Sequence, residues 1–132
     1  EMCIRDRNQT IKAIAEAEAY PGPSLIIAYS PCIEHGMKCG MGLSQAEQKK
    51  AVEAGYWHLY RYDPRRAAEG KNPFQLDSPE PDTEKMMDYL MGENRFASLK
   101  NNFPERADAL YTKAIADAKA RYVKYKKLAD NA

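Results

Sequence analysis

The sequence predicts an α/β fold with one buried parallel strand, short additional strands and a helical C-terminal third. Leu25 to Tyr29 form an uninterrupted apolar run between turn residues, which is typical of a strand covered on both faces in a parallel sheet. Tyr56 to Tyr62 are rich in aromatic residues and end at Asp63-Pro64, which indicates a second strand. From Ala107 to Tyr125, apolar residues recur at three- and four-residue steps, as on a helix with one buried face.

A helix is predicted before the apolar run. Asn8 is suited to cap its first turn, and Ile11, Ile14 and Ala15 form an apolar stripe along one side. The segment Pro21-Gly22-Pro23 cannot continue a helix, because proline lacks a backbone N–H group and glycine favours turns. We expect this helix to pack on the apolar strand.

Residues Glu1 to Arg7 do not match the rest of the chain. They contain neither the apolar core of a signal peptide nor an amphipathic period. We interpret residues 1–7 as a non-native scar and therefore exclude Cys3 from functional arguments. The domain proper is predicted to span residues 8–132.

A second helix is predicted after the apolar run. Ser44 and Glu47 have the spacing of a capping box, the helix is expected to run to about Ala54, and Gly55 is placed to end it. In the aromatic segment that follows, Arg61 is as compatible with a salt bridge as with binding a ligand.

The remainder of the chain is predicted to be a long loop followed by helices. Residues Arg65 to Pro81 are rich in turn-forming residues, with Phe74 to Leu76 as a short strand. Thr83 is suited to cap a helix through Leu90, and a short helix is expected from Asn94 to Lys100. Pro104 suits the first turn of a long terminal helix.

Composition bounds the function only broadly. The 132 residues are 44% hydrophobic and 30% charged, which is ordinary for a globular domain. A net charge of +1 gives no general field for nucleic acid or for an anionic membrane, and no apolar window has the length of a transmembrane helix. Three cysteines without a pairing pattern favour a reducing compartment. We expect a cytoplasmic protein that binds neither nucleic acid nor membrane.

The predicted central strand lacks neighbours. A strand buried on both faces requires a partner on each edge to satisfy its backbone groups. Two alternatives remain at this point. Either Trp57 to Tyr62 and Phe74 to Leu76 complete a small mixed sheet, or the partners lie upstream in a longer protein of which this is the end.

The strongest chemical pattern is Cys32, His35 and Cys39, with the spacing C-x2-H-x3-C. A structural zinc site has four ligands and a [4Fe-4S] cluster takes four thiolates, so this pattern completes neither site. One cysteine donated to a cluster with its other ligands elsewhere is possible. So are a buried cysteine with His35 bonded to the backbone, and a Cys32 nucleophile activated by His35, although no third orienting group is evident. We assign no catalytic residue.

Longer segments resemble a known family. The segments Asn8–Thr10, Glu16–Gly36, Ala51–Pro64 and Gly70–Ser78 are similar, in the same order, to the C-terminal part of pyruvate:ferredoxin (flavodoxin) oxidoreductase. The resemblance extends essentially from Asn8 to Ala132 and includes the motif Cys-Ile-Glu-His-Gly.

The resemblance implies a role for one cysteine. In this family a thiamine diphosphate-binding domain holds a [4Fe-4S] cluster, with three cysteine ligands well upstream and the fourth in the Cys-Ile-x-His-Gly segment. Cys32 occupies that fourth position, whereas Cys39 corresponds to no family ligand. Residues 8–132 are then expected to be the C-terminal portion of this thiamine diphosphate and iron–sulfur domain.

The resemblance also implies a reaction that the segment does not carry out alone. The whole enzyme is expected to convert pyruvate and coenzyme A to acetyl-CoA and carbon dioxide, and to pass electrons through [4Fe-4S] clusters to ferredoxin or flavodoxin. Thiamine diphosphate and Mg²⁺ are expected to be bound mainly by an upstream Gly-Asp-Gly segment. The implied partners of this segment are the rest of its own polypeptide and the second subunit of a homodimer.

A rival hypothesis from a different class remains open. It is a stand-alone α/β subunit-interaction module without a redox centre, in which Cys32 is merely buried. The upstream sequence of the parent gene discriminates between the two hypotheses, because a C-x2-C pair and a Gly-Asp-Gly segment there would favour the oxidoreductase.

Overall fold

The chain is described by a computed structural model over residues 4–32 and 34–131, so Cys3 lies outside the described residues. None of the helices in these two ranges is long and apolar enough to cross a membrane. Two 3₁₀ turns span Met41–Leu43 and Thr83–Lys85. The main elements are α1 (Ile4–Glu18), α2 (Ser44–Glu53), β1 (Tyr60–Tyr62), α3 (Arg65–Ala68), β2 (Phe74–Leu76), α4 (Met86–Gly92), α5 (Asn94–Asn102) and α6 (Pro104–Asp130).

The two short strands form an antiparallel pair. Tyr60 lies opposite Leu76, and Tyr62 lies opposite Phe74. The strand predicted for residues 74–76 is therefore confirmed, whereas the strand predicted for residues 56–62 is limited to residues 60–62. Residues 56–59 are not a strand, because the backbone folds back onto α2 through the hydrogen bond from the Trp57 N–H to the Ala51 carbonyl (3.0 Å).

The buried parallel strand predicted for residues 25–29 is not observed. These residues form no ladder, and the Leu25 side chain is 85% exposed. The physical reason is the absence of a partner: β1 and β2 pair only with each other, and no third strand occurs in the described ranges. The alternative of a small mixed sheet built around this segment is therefore wrong. Of residues 25–29, only Tyr29 packs against the core.

Helix α1 differs from its prediction in two respects. It begins at Ile4, so Asn8 lies inside the helix and does not cap it. Ile11 and Ile14 are half exposed, because the strand on which they were expected to pack is not formed. Polar contacts hold α1 instead, including a hydrogen bond of 3.1 Å from the Gln9 amide to Asp77. The interpretation of residues 1–7 as non-native stays a prediction.

Arg61 is a salt-bridge partner, which confirms one of its two predicted roles. Its guanidinium donates to both oxygens of Asp77 at 2.7 and 2.9 Å and to both oxygens of Glu16 at 2.5 and 2.6 Å. Burial of Asp77, the largest single effect, opposes its ionisation, but the hydrogen bonds from Arg61 and Gln9 and the charges of Arg61 and Lys12 together hold the pKa of the carboxyl below its ordinary value. Arg61 thereby joins β1 to both β2 and α1.

The predicted helix boundaries are confirmed only in part. Gly55 adopts φ 80° after α2, and Pro104 occupies the first turn of α6, both as predicted. The Ser44 and Glu47 capping box is wrong, because Ser44 is already helical and the Glu47 side chain is buried. Thr83 does not cap α4: Asp82 caps the 3₁₀ turn that leads into α4, and its Oδ1 accepts from the Glu84 N–H.

The core lies between α2, α4, α5 and α6. The predicted buried face of α6 is confirmed at Ala107, Tyr111 and Ala118, whereas Leu110 is 48% exposed because it lies to one side of this seam. The confirmed helical C-terminal third thus supplies most of the packing. The buried cluster comprises Ala51, Ala54, Met86, Tyr89, Leu90, Ala107, Tyr111 and Ala118.

Asn72 fixes the end of α6. The last carbonyls of a helix have no partner within the helix. The Asn72 Nδ2 donates to the carbonyls of Leu128 (2.7 Å), Ala129 (2.8 Å) and Asn131 (3.0 Å), and its Oδ1 accepts from the Phe74 N–H (2.9 Å). One amide therefore joins the C-terminus of α6 to the start of β2.

The exposed apolar segment predicts self-association of the isolated chain. Because Leu25 is exposed beside Ile26 and Ile27, the 132-residue chain should sediment as more than one species at micromolar concentration. Leu25→Lys should shift the distribution towards monomer. Leu110→Lys, the same change at an exposed leucine outside this apolar segment, should not. A monodisperse monomer before substitution would contradict this expectation.

The Asn72 anchor predicts a loss of stability on Asn72→Asp. The substitution keeps the acceptor for Phe74 but places carboxylate oxygen against helix carbonyls, which should lower the free energy of unfolding by about 2–3 kcal/mol. Asn101→Asp, which adds a negative charge within the last turn of α5 as Asn72→Asp adds one beside the end of α6, should cost at most about 1 kcal/mol. Urea unfolding followed by circular dichroism measures both, and equal losses would contradict the anchoring role.

Candidate functional site

Cys32 lies at the end of the extended segment that follows α1. Pro31, immediately before it, is buried, while the Cys32 side chain is half exposed. Its thiol is free. The Cys32 sulfur is therefore accessible, while the residue on its N-terminal side, Pro31, is buried in the protein.

His35 folds back onto this sulfur. The distance from His35 Nδ1 to Cys32 Sγ is 3.0 Å, so a ring protonated at Nδ1 donates to the sulfur. The hydrogen bond from the His35 ring lowers the pKa of the Cys32 thiol, and the backbone N–H groups of His35 and Glu34 act in the same direction. Of the alternatives for this pair, a buried cysteine with His35 bonded to the backbone is not what the structure contains.

Cys39 does not join this arrangement. Its side chain is exposed, and its Sγ contacts the Gly40 carbonyl at 3.7 Å. No group of three or more His, Cys, Asp or Glu side chains in residues 4–32 and 34–131 could hold a metal ion. The C-x2-H-x3-C pattern consequently separates into a Cys32–His35 pair and an unrelated Cys39.

The loop after Cys32 is docked on the junction between α4 and α5. Met37 is buried and forms an isolated antiparallel bridge with Glu93. The Lys38 N–H donates to the Gly92 carbonyl (2.9 Å), and the Asn94 N–H donates to the Gly36 carbonyl (3.3 Å). These contacts hold the C-terminal side of the Cys32 loop.

A buried carboxylate lies at the same junction. The Glu93 Oε1 accepts from the hydroxyls of Tyr29 and Tyr89, each at 2.7 Å, and its Oε2 accepts from Arg95 Nε at 2.6 Å. The two tyrosine hydroxyls also contact each other. Burial raises the pKa of both tyrosines, so they remain neutral hydrogen-bond donors.

Aromatic packing fixes Tyr29 in this network. Its ring stacks on Trp57 with centroids 5.4 Å apart and lies 5.7 Å from the ring of Tyr56. From the sequence, Tyr29 was predicted only as the end of a strand, and Glu93 was given no role. The one signal for Glu93 was its position between Gly92 and Asn94, where one helical pattern ends and the next begins.

Comparisons with known proteins find relatives that match more than nine-tenths of the chain. No family model matches the chain. It is 60% identical over 124 residues to the pyruvate-flavodoxin oxidoreductase of Klebsiella pneumoniae, which covers 94% of this chain and 10% of that protein. It is 62% identical over 123 residues to the pyruvate:ferredoxin oxidoreductase of Moorella thermoacetica, covering 93% of this chain and 10% of that protein.

A further relative carries a different name. The chain is 48% identical over 120 residues to the mitochondrial pyruvate dehydrogenase [NADP(+)] of Euglena gracilis, covering 91% of this chain and 7% of that protein. The similarity thus extends over nearly the whole chain but spans about a tenth of the length of these curated relatives. The chain therefore belongs to the pyruvate-flavodoxin and pyruvate:ferredoxin oxidoreductases, of which it is a fragment.

Proposed function

We propose that this fragment supplies Cys32 as one thiolate ligand of a [4Fe-4S] cluster in a pyruvate:ferredoxin or pyruvate:flavodoxin oxidoreductase. The observation that carries the proposal is the half-exposed Cys32 thiol, whose pKa is lowered by His35. The whole enzyme oxidatively decarboxylates pyruvate with coenzyme A to acetyl-CoA and carbon dioxide, and ferredoxin or flavodoxin accepts the electrons. The names of the relatives support this activity.

The donor chemistry of the site fits such a cluster. Iron–sulfur clusters bind thiolates, and hydrogen bonds to cysteine sulfur favour the thiolate form. Because the Cys32 sulfur is accessible, a cluster held mainly by other residues can reach it. Within the described residues, no group of three or more His, Cys, Asp or Glu side chains could hold a metal ion, so we assign this chain a single cluster ligand.

When bound, a [4Fe-4S] cluster carries single electrons. The residues of this chain have separate tasks in that site. Cys32 binds, and the hydrogen bond from His35 to its sulfur influences the potential, since such bonds are one of the terms that set it. Buried Pro31 fixes the direction from which Cys32 approaches.

The remaining parts of the proposal concern the whole enzyme. Residues 8–132 form the C-terminal portion of the thiamine diphosphate and iron–sulfur domain, while other parts of the polypeptide bind thiamine diphosphate, Mg²⁺ and pyruvate. The fragment alone is inactive, and no residue of it is catalytic. The enzyme is a cytoplasmic homodimer.

The cluster assignment predicts different effects for two cysteines. In the full-length enzyme, Cys32→Ser should lose or destabilise one cluster, because serine is a harder and less readily ionised ligand. Pyruvate decarboxylation at thiamine should persist while electron delivery to ferredoxin falls by at least about tenfold. Cys39→Ser, the matched control at an exposed cysteine of the same loop, should change neither property.

Iron analysis and low-temperature electron paramagnetic resonance measure this difference. An unchanged cluster count in Cys32→Ser would overturn the assignment and favour the interaction module without a redox centre. Loss of a cluster in Cys39→Ser would move the ligand to the other cysteine.

The Cys32–His35 contact predicts the pH dependence of thiol alkylation. Because the pKa of Cys32 is lowered, its thiolate is present above that lowered pKa and is lost only as the pH falls through it. The rate of reaction with iodoacetamide, followed by mass spectrometry of the Cys32 peptide, should therefore reach half its plateau below about pH 8.5, the value for a free cysteine. His35→Ala should raise that midpoint, and an unchanged midpoint would show that His35 does not act on the thiol.

A further inference from the structure

We propose that Glu93 is a positioning residue that fixes the segment carrying Cys32 on both of its sides. This inference rests on the proposed function of Cys32 and names the residue that sets the direction of its thiolate. Glu93 would act through the protein and not by touching the cluster.

The first attachment lies upstream of Cys32. Tyr29 precedes Cys32 by three residues, and its hydroxyl donates to Glu93 Oε1 at 2.7 Å. The ring of Tyr29 is stacked on Trp57, so the hydroxyl cannot turn away without disrupting aromatic contacts. The side chain of Glu93 therefore determines where the segment enters the Cys32 loop.

The second attachment lies downstream and uses the backbone of the same residue. Met37 follows Cys32 by five residues and is paired with Glu93 in the antiparallel bridge. The hydrogen bond from Lys38 to the Gly92 carbonyl extends this pairing by one residue. Both ends of the segment from Tyr29 to Met37 are thus attached to one point of the helical core.

Glu93 is itself held rigidly. Its side chain is 1% exposed and is fixed from other directions by Tyr89 and Arg95. Its carbonyl accepts from the N–H groups of Phe96 and Ala97, which places it at the start of α5. A displacement of the Cys32 segment would therefore require breaking hydrogen bonds to a buried charge or moving the junction between two helices.

The chemistry of this attachment favours a function over simple packing. A buried carboxylate is costly to desolvate, and an apolar side chain of similar volume would fill the core as well. The carboxylate additionally fixes the orientation of the segment that carries Cys32, because a hydrogen bond sets the distance and angle between Tyr29 and Glu93. A thiolate ordered in advance loses little conformational entropy on binding a cluster.

Tyr29→Phe tests this inference with minimal disturbance of packing. It removes the hydroxyl that reaches Glu93 and keeps the stacked ring. Tyr111→Phe is the matched control, because it removes a hydroxyl that donates at the same distance of 2.7 Å to the Phe96 carbonyl but makes no described contact with the Cys32 segment. Both variants are compared in the full-length, cluster-loaded enzyme.

Three readouts separate positioning from stability. In Tyr29→Phe we expect cluster loss to a chelator to accelerate by about tenfold, the size expected for losing a hydrogen bond to a charged group. Amide exchange at Lys38, whose N–H donates to the Gly92 carbonyl and not to the lost hydroxyl, should stay unchanged and shows that the downstream attachment is intact. The resonance signal of the cluster bound by Cys32 should also shift. Tyr111→Phe should leave the signal and both rates unchanged, whatever its effect on the melting temperature. If Tyr29→Phe does not fold, Glu93→Gln, which keeps the side-chain shape, takes its place in the same comparison.

Cys32→Ser distinguishes failure of this inference from failure of the proposed function. If Cys32→Ser loses a cluster while Tyr29→Phe behaves as Tyr111→Phe does, the positioning role is wrong and the ligand role stands. If Cys32→Ser keeps every cluster, the ligand role is wrong, and the positioning role is overturned with it.

Discussion

The buried carboxylate of Glu93 is the interaction on which the arrangement of the site depends. A charge at 1% exposure is stable only when it is paired and hydrogen-bonded, and here two tyrosine hydroxyls and one guanidinium meet that requirement. Tyr89 and Arg95 flank Glu93 in α4 and α5, whereas Tyr29 comes from the segment after α1, so satisfying the carboxylate also attaches that segment to the junction between α4 and α5. If the segment that carries Cys32 moved away, Glu93 would lose the hydrogen bond from Tyr29 that offsets part of its desolvation cost.

Other peripheral segments are also attached by polar groups. Arg61 joins α1 to the two-stranded sheet, and the Asn72 amide joins that sheet to the end of α6. The apolar side chains that would normally do this work, Leu25 and those of the α1 stripe, remain exposed. A small helical core with polar attachments and uncovered apolar segments is consistent with a chain that matches about a tenth of the length of its relatives.

Sequence reasoning succeeded where the signal was local. Residues 74–76, Gly55 and Pro104 were identified because turn chemistry acts on the residues next to it. Residues 25–29 were misassigned as a strand because an apolar run reports hydrophobicity but not whether neighbouring strands exist to pair with it. Glu93 was missed for a related reason, since the residue that links it to the Cys32 segment is Tyr29, 64 residues away in the sequence.

In the site, too, the sequence spacing and the three-dimensional arrangement give different groupings of residues. Spacing alone grouped Cys32, His35 and Cys39, and it could not rank them. The structure separates them, because His35 contacts the Cys32 sulfur while the Cys39 side chain is exposed and bonded to a neighbouring carbonyl. Of the two cysteines that the structure describes, Cys32 combines an accessible sulfur, donors that favour its thiolate and a segment fixed at both ends, and Cys39 does not. In the proposed role these three properties matter together, since a mobile or protonated thiol would add an entropic or ionisation cost to binding a cluster assembled mostly by distant residues.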